Sequence, residues 1–533
     1  MTNFFTALLV AMVFLAEAVA FAGIKTYEGA GKYIMSDFEN QDIAKMRAQQ
    51  RAERDAQKKA GVYLKAFSRS VNSELTDDEI SAVTNNIISV SDVQIKGEPF
   101  EVNGEVAIMY KATLKAQIDP NGIFDFIKRE DKEKLTIVEQ NNSLTVAINH
   151  NDKEVDDLKE RYRRAETQAD KDKLKQQMAQ ADKNFLANKK LEEGYNAYFN
   201  KNNHDLAFKL FTEAIELNPN LATAYKARGK ILSWNDYKQE AFKDFQKVAE
   251  LNPTDDEIYD LIGQFYFSSK DYSKALENYN KAIELNPNKA DYYRTRAFIY
   301  SYNLVNLEQA LADYSKIIEL NQSETAYSDR GNLYKRLKNY DAAIDDYNQA
   351  LRIDPNNNFL YVSLALAYDD LKDYGKAVEC YTKAINLGGG GLYYHWRGET
   401  YEKLNDNKKA TADYKSAVEA FTKEIAEEPL DEDNYEYRAR VYMKLKDYKQ
   451  AIQDFNSYLM IDPSDYAYNN RGECYTEMGD YEAALADFNK AIELDPKYAV
   501  AYYNRGKCYE AMGEQNQAQA DFDKAKELGY EKD

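Results

Sequence analysis

The segment NNRGECYTEMGDYEAALADFNKAIELDP, residues 469–496, decides the fold of most of this 533-residue chain. Its apolar residues follow a helical spacing in two stretches, with a turn near the middle and a proline, Pro496, at the end. Small residues such as Gly472 and Ala484 allow two helices to approach closely. The segment therefore predicts a helical hairpin, and a charged residue, Arg471, stands immediately before its glycine.

The same pattern returns along the chain. NRGKCYEAMGEQNQAQADFDKAKELG follows at 504–529, and DRGNLYKRLKNYDAAIDDYNQALRIDP stands at 329–355. The step from Gly472 to Gly506 is 34 residues, and ten copies lie between about 188 and 529. The 44 tyrosines against 2 tryptophans fit a motif that uses tyrosine at a fixed position. We number positions 1 to 34 within a repeat, with Gly472 at position 8 of repeat nine.

Repeat nine carries aromatic, small and proline residues at positions 4, 8, 11, 20, 24, 27 and 32: Tyr468, Gly472, Tyr475, Ala484, Phe488, Ala491 and Pro496. This pattern resembles the tetratricopeptide repeat. The resemblance implies a mainly α chain in which about ten hairpins stack as a right-handed α-solenoid and bind other proteins. Gln519 and Lys526 replace aliphatic residues in repeat ten, so its second helix is expected to face solvent and end the array.

Arginine at position 7 and aspartate at position 23 occur in the same seven repeats. The pairs are Arg228 and Asp244, Arg296 and Asp313, Arg330 and Asp346, Arg397 and Asp413, Arg438 and Asp454, Arg471 and Asp487, and Arg505 and Asp521. The other three repeats have Leu210, Asn278 and Cys380 at position 23. We predict a bidentate bond within each hairpin that fixes its register. The alternative is recent duplication without contact.

The resemblance also implies a concave groove lined by positions 2, 5, 9, 12 and 13 of the first helices. The candidate groove residues are Lys226, Lys230, Trp234, Arg294, Phe298, Tyr302, Asn332, Lys335, Arg336 and His395. Repeats six to nine offer acidic residues instead: Asp369, Asp370, Glu399, Glu402, Glu436, Glu473 and Glu477. We expect a front that accepts an acidic or C-terminal peptide and a back that accepts a basic one. Ordinary surface scatter is the alternative.

Two irregularities interrupt the array. Gly388-Gly389-Gly390-Gly391 replaces the proline turn before repeat seven, and we interpret it as a flexible turn because a phosphate-binding loop needs a following GK[ST]. The second helix of repeat seven runs about seven residues too long before Pro429. The extension predicts a bend between repeats seven and eight, or else simple local padding.

Residues 24–119 predict a small α+β domain. A first strand precedes a helix with alanine at every fourth position from 44 to 60, and a second helix precedes two strands around Asn103-Gly104. The phrases RAERDAQKKAGVYL and LTDDEI resemble the N-terminal domain of flagellar assembly protein T and related envelope lipoproteins. Residues 120–187 predict a helical linker that caps the array, with a separate coiled coil as the alternative.

Residues 1–22 are apolar and end in small residues, which predicts a secretory signal peptide and a periplasmic or secreted protein of a bacterial envelope. An uncleaved anchor is the alternative, and no other stretch could span a membrane. The net charge of -20 disfavours nucleic-acid partners.

No sequence motif predicts a catalytic, metal or cofactor site. We expect a non-enzymatic scaffold that binds proteins or peptides, of unknown oligomeric state. The alternative is an assembly factor or chaperone for a cell-envelope machine, docked through the front domain. A sugar transferase is disfavoured, since no catalytic domain precedes residue 188.

Overall fold

The computed structural model describes residues 24–36, 38–70, 75–102, 105–118, 126, 131–199 and 203–530. They form two compact units, unit one ending at Ser269 and unit two beginning at Lys270. The predicted signal peptide and the predicted turn at Asn103-Gly104 lie outside the described residues. The boundary between the units falls within the third predicted repeat.

Unit one begins with a three-stranded antiparallel sheet in the order β1-β3-β2. Its strands are β1 (Lys25–Met35), β2 (Ile88–Val102) and β3 (Glu105–Ile118). Two helices, α1 (Gln41–Ser70) and α2 (Asp77–Ile87), lie between β1 and β2 in the chain. Thr76 and Glu79 form a capping box at the start of α2. The α+β domain expected at the front of the chain is present.

The alanine stripe of α1 lies against the sheet. Its fully buried members are Ala44, Ala48, Ala52, Ala56 and Ala60. Gly29 and Gly31 face them from β1, where a Cβ on Gly29 would lie 2.1 Å from the carbonyl oxygen of Ala52. Helix and strand are therefore in backbone contact, which only small residues on both sides permit.

Helices α3 (Asp131–Arg164) and α4 (Gln168–Phe199) also pack on the front domain. Val155, Leu158, Leu174 and Met178 share one core with Tyr33 of β1. The sequence-based boundary between residues 187 and 188 falls inside α4, whose later residues enter the core of repeat one. The expected helices are present, and α4 packs on repeat one as expected for a cap. Because α4 also contributes to the core of the front domain, residues 131–187 are more than a linker.

A buried charge cluster joins α1 to α3 and α4. Arg47 is 1% exposed, and its guanidinium donates to Asp152 at 3.2 Å and to Asp182 at 3.1 Å. Its guanidinium carbon also lies 4.3 Å from the centre of the Phe185 ring. Lys159 of α3 donates to the Tyr33 hydroxyl of β1 at 2.8 Å. The cluster thus links all the layers of the front domain.

Antiparallel helices follow in both units. In unit one they are α5 (His204–Leu217), α6 (Ala222–Trp234), α7 (Lys238–Leu251) and α8 (Asp256–Ser268). In unit two they are α9 (Tyr272–Leu285), α10 (Ala290–Phe298) with a π-helical turn (Ile299–Asn303), α11 (Leu307–Leu320), α12 (Glu324–Arg336), α13 (Tyr340–Ile353), α14 (Asn358–Asp370), α15 (Tyr374–Asn386), α16 (Gly391–Lys403), α17 (Asn407–Glu427), α18 (Glu432–Lys444), α19 (Tyr448–Ile461), α20 (Asp465–Met478), α21 (Tyr481–Leu494), α22 (Ala499–Met512) and α23 (Gln515–Glu527). The predicted series of helical hairpins after a small α+β domain is confirmed.

Several hairpins close on a glycine at position 8. A Cβ on Gly472 would lie 2.8 Å from the Phe488 ring, so the first helix needs glycine where the position 24 aromatic ring packs. Gly331 and Tyr347 repeat this contact in repeat five. In the last helix Gln519 and Lys526 are exposed, as expected for a solvent-facing cap.

The glycine segment before repeat seven and the long second helix of that repeat contact each other. Helix α17 runs for 21 residues, against 14 for α13, and its added turns reach the glycine segment. A Cβ on Gly391 would lie 2.6 Å from the Phe421 ring, and the Glu424 carboxylate accepts from the Gly391 amide at 2.9 Å. Gly389, Gly390 and Gly391 are therefore closely packed, whereas a Cβ on Gly388 would meet nothing within 4 Å. The predicted turn is present, and its flexibility stays a prediction.

Candidate functional site

All seven arginine–aspartate pairs are in contact within their hairpins. In each, Nε donates to Oδ2 and Nη2 donates to Oδ1, at distances between 2.5 and 2.9 Å. All seven aspartates are buried. The predicted bidentate geometry is therefore present in every repeat that carries both residues.

Each of these arginines also reaches the preceding repeat, which the sequence reasoning missed. Nη1 donates at 2.6 to 3.4 Å to a short polar side chain on the preceding second helix. The acceptors, in order, are Thr212, Asn280, Ser315, Thr382, Thr422, Asn456 and Asn489. A serine, threonine or asparagine 15 or 16 residues before each arginine is the signal that could have revealed the bond. One guanidinium thus ties two hairpins together.

The bond from an arginine to the preceding repeat is also present where repeat eight follows the long helix α17. Position 25 of repeat seven is Lys415, yet Arg438 donates to Thr422, seven residues later on the extended helix. Two added turns therefore place an equivalent acceptor at the next joint. The bend expected between repeats seven and eight stays a prediction.

The two candidate groove lysines of unit one are already paired. Lys226 lies 2.9 Å from a carboxylate oxygen of Asp255 and 2.6 Å from one of Glu257, and Lys230 lies 2.6 Å from Glu257. Burial raises the pKa of the Glu257 carboxyl, but Lys230 and Lys226 outweigh it and lower that pKa to about 2. The expectation of a basic front is wrong for these lysines, because the Asp255 and Glu257 carboxylates neutralise them.

Trp234, the third candidate groove residue of unit one, is exposed to solvent. Its side chain is 77% exposed at the end of α6, and its ring centre lies 6.3 Å from that of His204. A tryptophan this exposed is uncommon in a folded domain and marks a surface able to contact a partner.

Repeats four and five place aromatic and basic side chains together. A π-helical turn at 299–303 follows α10, and Phe298 and Tyr302 around it are 43% and 56% exposed with ring centres 4.8 Å apart. The Arg336 guanidinium lies 4.6 Å from the centre of the Tyr302 ring and donates to the carbonyl oxygen of Ser301 at 2.9 Å. We define the repeat-four patch as these residues together with Arg294, one helical turn before Phe298, and Lys335, next to Arg336 in the chain.

Arg294, Asn332 and Lys335, the other candidate groove residues of repeats four and five, have different contacts. Arg294 lies 3.3 Å from Asp291 and 3.8 Å from Asp329, so its charge is partly balanced. Asn332 accepts a hydrogen bond from the Tyr347 hydroxyl at 2.7 Å and so supports the hairpin. For Lys335 no ion pair is present among the described residues.

His395 does not line a groove. It is 2% exposed, its ring centre lies 6.0 Å from that of Tyr414, and Nδ1 has no hydrogen-bond partner among the described residues. Burial lowers the pKa of its imidazole below the usual value, against the influence of the nearby Glu399 carboxylate. Its assignment as a groove residue is wrong, because position 5 of this repeat is covered by neighbouring helices.

Several carboxylates of repeats six to eight are also balanced locally. Lys403 pairs with Asp369, Lys444 lies 2.9 Å from Glu402 and 3.5 Å from Glu399, and Arg440 lies 3.6 Å from Glu436. In repeat nine, burial raises the pKa of the Glu473 carboxyl. The predicted acidic back is thus partly neutralised by basic residues on the same and adjacent first helices.

The described residues were also compared with the requirements of a metal site and of a membrane-spanning helix. They contain no group of three or more His, Cys, Asp or Glu side chains placed to hold a metal ion. Among the helices of those same residues, none combines the length and apolar character needed to cross a membrane.

Sequence models of the tetratricopeptide repeat match the repeat region. Models described as "TPR repeat" or "Tetratricopeptide repeat" match residues 196–221, 263–303, 325–357, 360–387, 397–466, 472–513 and 499–528. Multiple tetratricopeptide repeats are therefore detected across this part of the chain. Proteins built from such repeats bind peptides or other proteins, so the repeats support a role in protein interaction.

Curated relatives match only in part. Identity is 30% over 95 residues to a TPR repeat-containing protein of Methanocaldococcus jannaschii, covering 17% of each chain. It is 32% over 94 residues to small glutamine-rich tetratricopeptide repeat-containing protein 2 of Saccharomyces cerevisiae, covering 18% of this chain and 25% of that one. The chain thus spans a quarter or less of the length of these relatives.

Two solved structures are similar over a larger share. A tetratricopeptide repeat protein from Parabacteroides merdae is 22% identical, with a TM-score of 0.34, 44% of this chain and 93% of that chain covered. Yeast Tom70 is 13% identical, with a TM-score of 0.35, 65% of this chain and 92% of that chain covered.

Proposed function

We propose that the chain is a non-enzymatic scaffold that binds a peptide segment of a protein partner at the repeat-four patch. The observation that carries the proposal is the pair of exposed, adjacent rings of Phe298 and Tyr302, with the Arg336 guanidinium over the Tyr302 ring. Aromatic residues and arginine dominate the binding energy of protein interfaces. The patch therefore has the composition of a binding hot spot.

The charges of the patch define the chemistry of the peptide. Arg336 and Lys335 are not paired with a carboxylate among the described residues, whereas Lys226 and Lys230 are neutralised. A peptide carboxylate can bind the two cations, and an aromatic or aliphatic side chain beside it can pack on Phe298 and Tyr302. The partner segment is accordingly acidic and contains at least one large apolar residue.

Selection of peptides from a random 12-residue display library on the full-length protein tests this proposal. Enriched sequences should combine Asp or Glu with an aromatic or aliphatic residue. Tyr302→Ala and Arg336→Gln should each weaken binding of an enriched peptide about tenfold or more. Leu430→Ala is the matched control, since Leu430 is an 80% exposed apolar side chain away from the patch. Equal binding by Tyr302→Ala and the unmodified protein would overturn the proposal.

The proposed location is the periplasm or another part of a bacterial envelope. The apolar segment at residues 1–22 and the resemblance of the front domain to envelope proteins support it. Fractionation of cells that express the chain with a C-terminal tag tests the location. Recovery in the cytoplasm with residues 1–22 retained would contradict it, while recovery in the periplasm with those residues removed would support it.

The second candidate is an assembly factor or chaperone for a cell-envelope machine that docks through the front domain. A deletion of residues 1–119 is unsuitable as a test, because Tyr33 and the alanines of α1 share a core with α3 and α4. Surface variants of the front sheet, such as Lys96→Glu, leave that core intact. Loss of partners with Lys96→Glu but not with Tyr302→Ala would favour the second candidate.

A further inference from the structure

Unit one contains an open cleft that lies away from the repeat-four patch. It is bounded by α1, β2, α3, α4 and the second helix of repeat one, α5, and has a volume of about 490 Å³. Small-molecule sites commonly have volumes of about 300–1,000 Å³ and occur where domains meet. We call it the junction cleft, because α4 joins the front domain to the first repeat here.

One wall of the junction cleft is apolar. The residues that form it are Ile88, Ile137, Leu144, Phe199, Leu206 and Leu210. Leu206 is 37% exposed, so this wall is partly open to solvent. Such a surface favours an aliphatic or aromatic group of a ligand, which would be removed from water on binding.

Other residues that line the cleft are polar and carry more negative than positive charge. The ammonium of Lys189 lies 2.9 Å from a carboxylate oxygen of Glu192 and 3.4 Å from one of Glu53. Glu193 lines the cleft as well, giving three carboxylates and one ammonium among the lining residues, and Lys190, which does not line the cleft, lies 3.6 Å from Glu193. Charge complementarity therefore favours a cationic ligand over an anionic one.

One hydrogen-bond acceptor that lines the cleft lacks a donor among the described residues. The amide oxygen of Gln140, on α3, is buried and accepts no hydrogen bond from any residue that the structure describes. Buried acceptors are normally satisfied, so this oxygen indicates a place for an N–H group. It lines the same cleft as Glu53 and Glu192.

We propose that the junction cleft binds a small organic amine. The protonated amine donates to the acceptor sites of the Glu192 and Glu53 carboxylates that Lys189 leaves open and to the Gln140 amide oxygen, while its hydrocarbon part packs on Leu144 and Leu210. Neutral alcohols of the same length lack the charge, and carboxylic acids carry the wrong one. The site is independent of the peptide surface, so either proposal can fail without the other.

Calorimetric titration of the full-length protein with n-octylamine tests the proposal. One molecule should bind per chain, and octanol and octanoate should bind at least about tenfold more weakly. Glu192→Gln and Gln140→Leu should each weaken octylamine binding by about tenfold. Glu213→Gln is the matched control, because its carboxylate lies on α5, pairs with Lys190 at 2.8 Å and does not line the cleft.

Filling the cleft provides a second test. Leu144→Trp should abolish octylamine binding while circular dichroism and the thermal midpoint confirm that the variant folds. If Leu144→Trp does not fold, the polar variants decide the outcome, since Glu192→Gln and Gln140→Leu change side chains at the cleft surface. Binding of octanoate as tight as that of octylamine, or no effect of either polar variant, would overturn the proposal.

Discussion

At the scale of single residues, arginine at position 7 does what no other side chain could do there. A guanidinium has five N–H donors in a planar fork, and three nitrogens are used by two different hairpins. Tyr468 also lies beside Arg471, with its ring centre 5.4 Å from the guanidinium carbon. The charge that precedes the glycine is therefore a structural connector, and ligand binding must be sought at other positions.

Substitution of Arg471 by lysine tests the need for the fork. Lysine keeps the charge but cannot bind Asp487 in two places and Asn456 at the same time. We expect Arg471→Lys to lower the free energy of unfolding by about 1–2 kcal/mol. Urea unfolding measures the change, and hydrogen exchange should show it first in α20 and α21. Arg352→Lys, on an exposed side chain, should change little; an equal loss in both variants would contradict the prediction.

The low pKa of Glu257 predicts that the stability of the folded protein depends on pH. Its pKa is about 2 in the folded state, against an ordinary value of 4.5. Because folding lowers the pKa, the paired carboxylate stabilises the fold above about pH 4.5 and loses this contribution as the pH falls towards 2. The thermal midpoint of Glu257→Gln should therefore lie below that of the unmodified protein at pH 7 and approach it near pH 2. Glu284→Gln, an exposed pair with Lys281, should show no such convergence.

At the scale of elements, the long helix α17 and the glycine turn explain each other. The extension supplies Phe421 and Glu424, and the turn supplies space and a backbone N–H for them. Glu424 thereby acts as the cap of α16, which has no side-chain cap of its own. Sequence comparison detected both irregularities but could not relate them, because they are more than 30 residues apart.

Gly391 and Phe421 should show coupled effects on stability. Gly391→Ala forces its Cβ against the Phe421 ring and should cost about 1–3 kcal/mol. Phe421→Ala should cost about 3–5 kcal/mol, and the double variant should cost less than the sum of the two. Denaturant unfolding of the four proteins measures the coupling. Gly375→Ala is the control, since its nearest neighbour would lie 3.9 Å away; additive losses would refute the coupling.

At the scale of the whole molecule, the features that could be predicted from the sequence are those that occur in many repeats. The hairpins and the Arg–Asp pairs occur many times, so their positions could be compared within one chain. The pairing of Lys226 and Lys230 with Glu257 and the burial of His395 each occur once and depend on the packing of adjacent repeats. The junction of the front domain with repeat one could not be predicted either, because α4 carries no break at residue 188.

The buried cluster around Arg47 should be essential to unit one. Arg47→Leu leaves Asp152 and Asp182 without their common cation, which should cost about 3–5 kcal/mol. The loss should appear as increased hydrogen exchange in α1, α3 and α4 together. Arg161→Leu removes only an exposed pair with Asp157 and should cost about 0.5 kcal/mol or less. Similar stability losses in the two variants would contradict a structural role for the cluster.

The bond from each arginine to the preceding repeat has a consequence for how such an array can change in length. Arg471 binds Asn456 and Arg505 binds Asn489, so the chemistry at these two joints is identical. Excision of one whole repeat between equivalent positions would present Asn456 to Arg505 and leave an intact joint. Gain or loss of single repeats is thereby permitted in this stretch. Repeats three and six, with Ile262 and Leu364 in place of the arginine, are not interchangeable with the others.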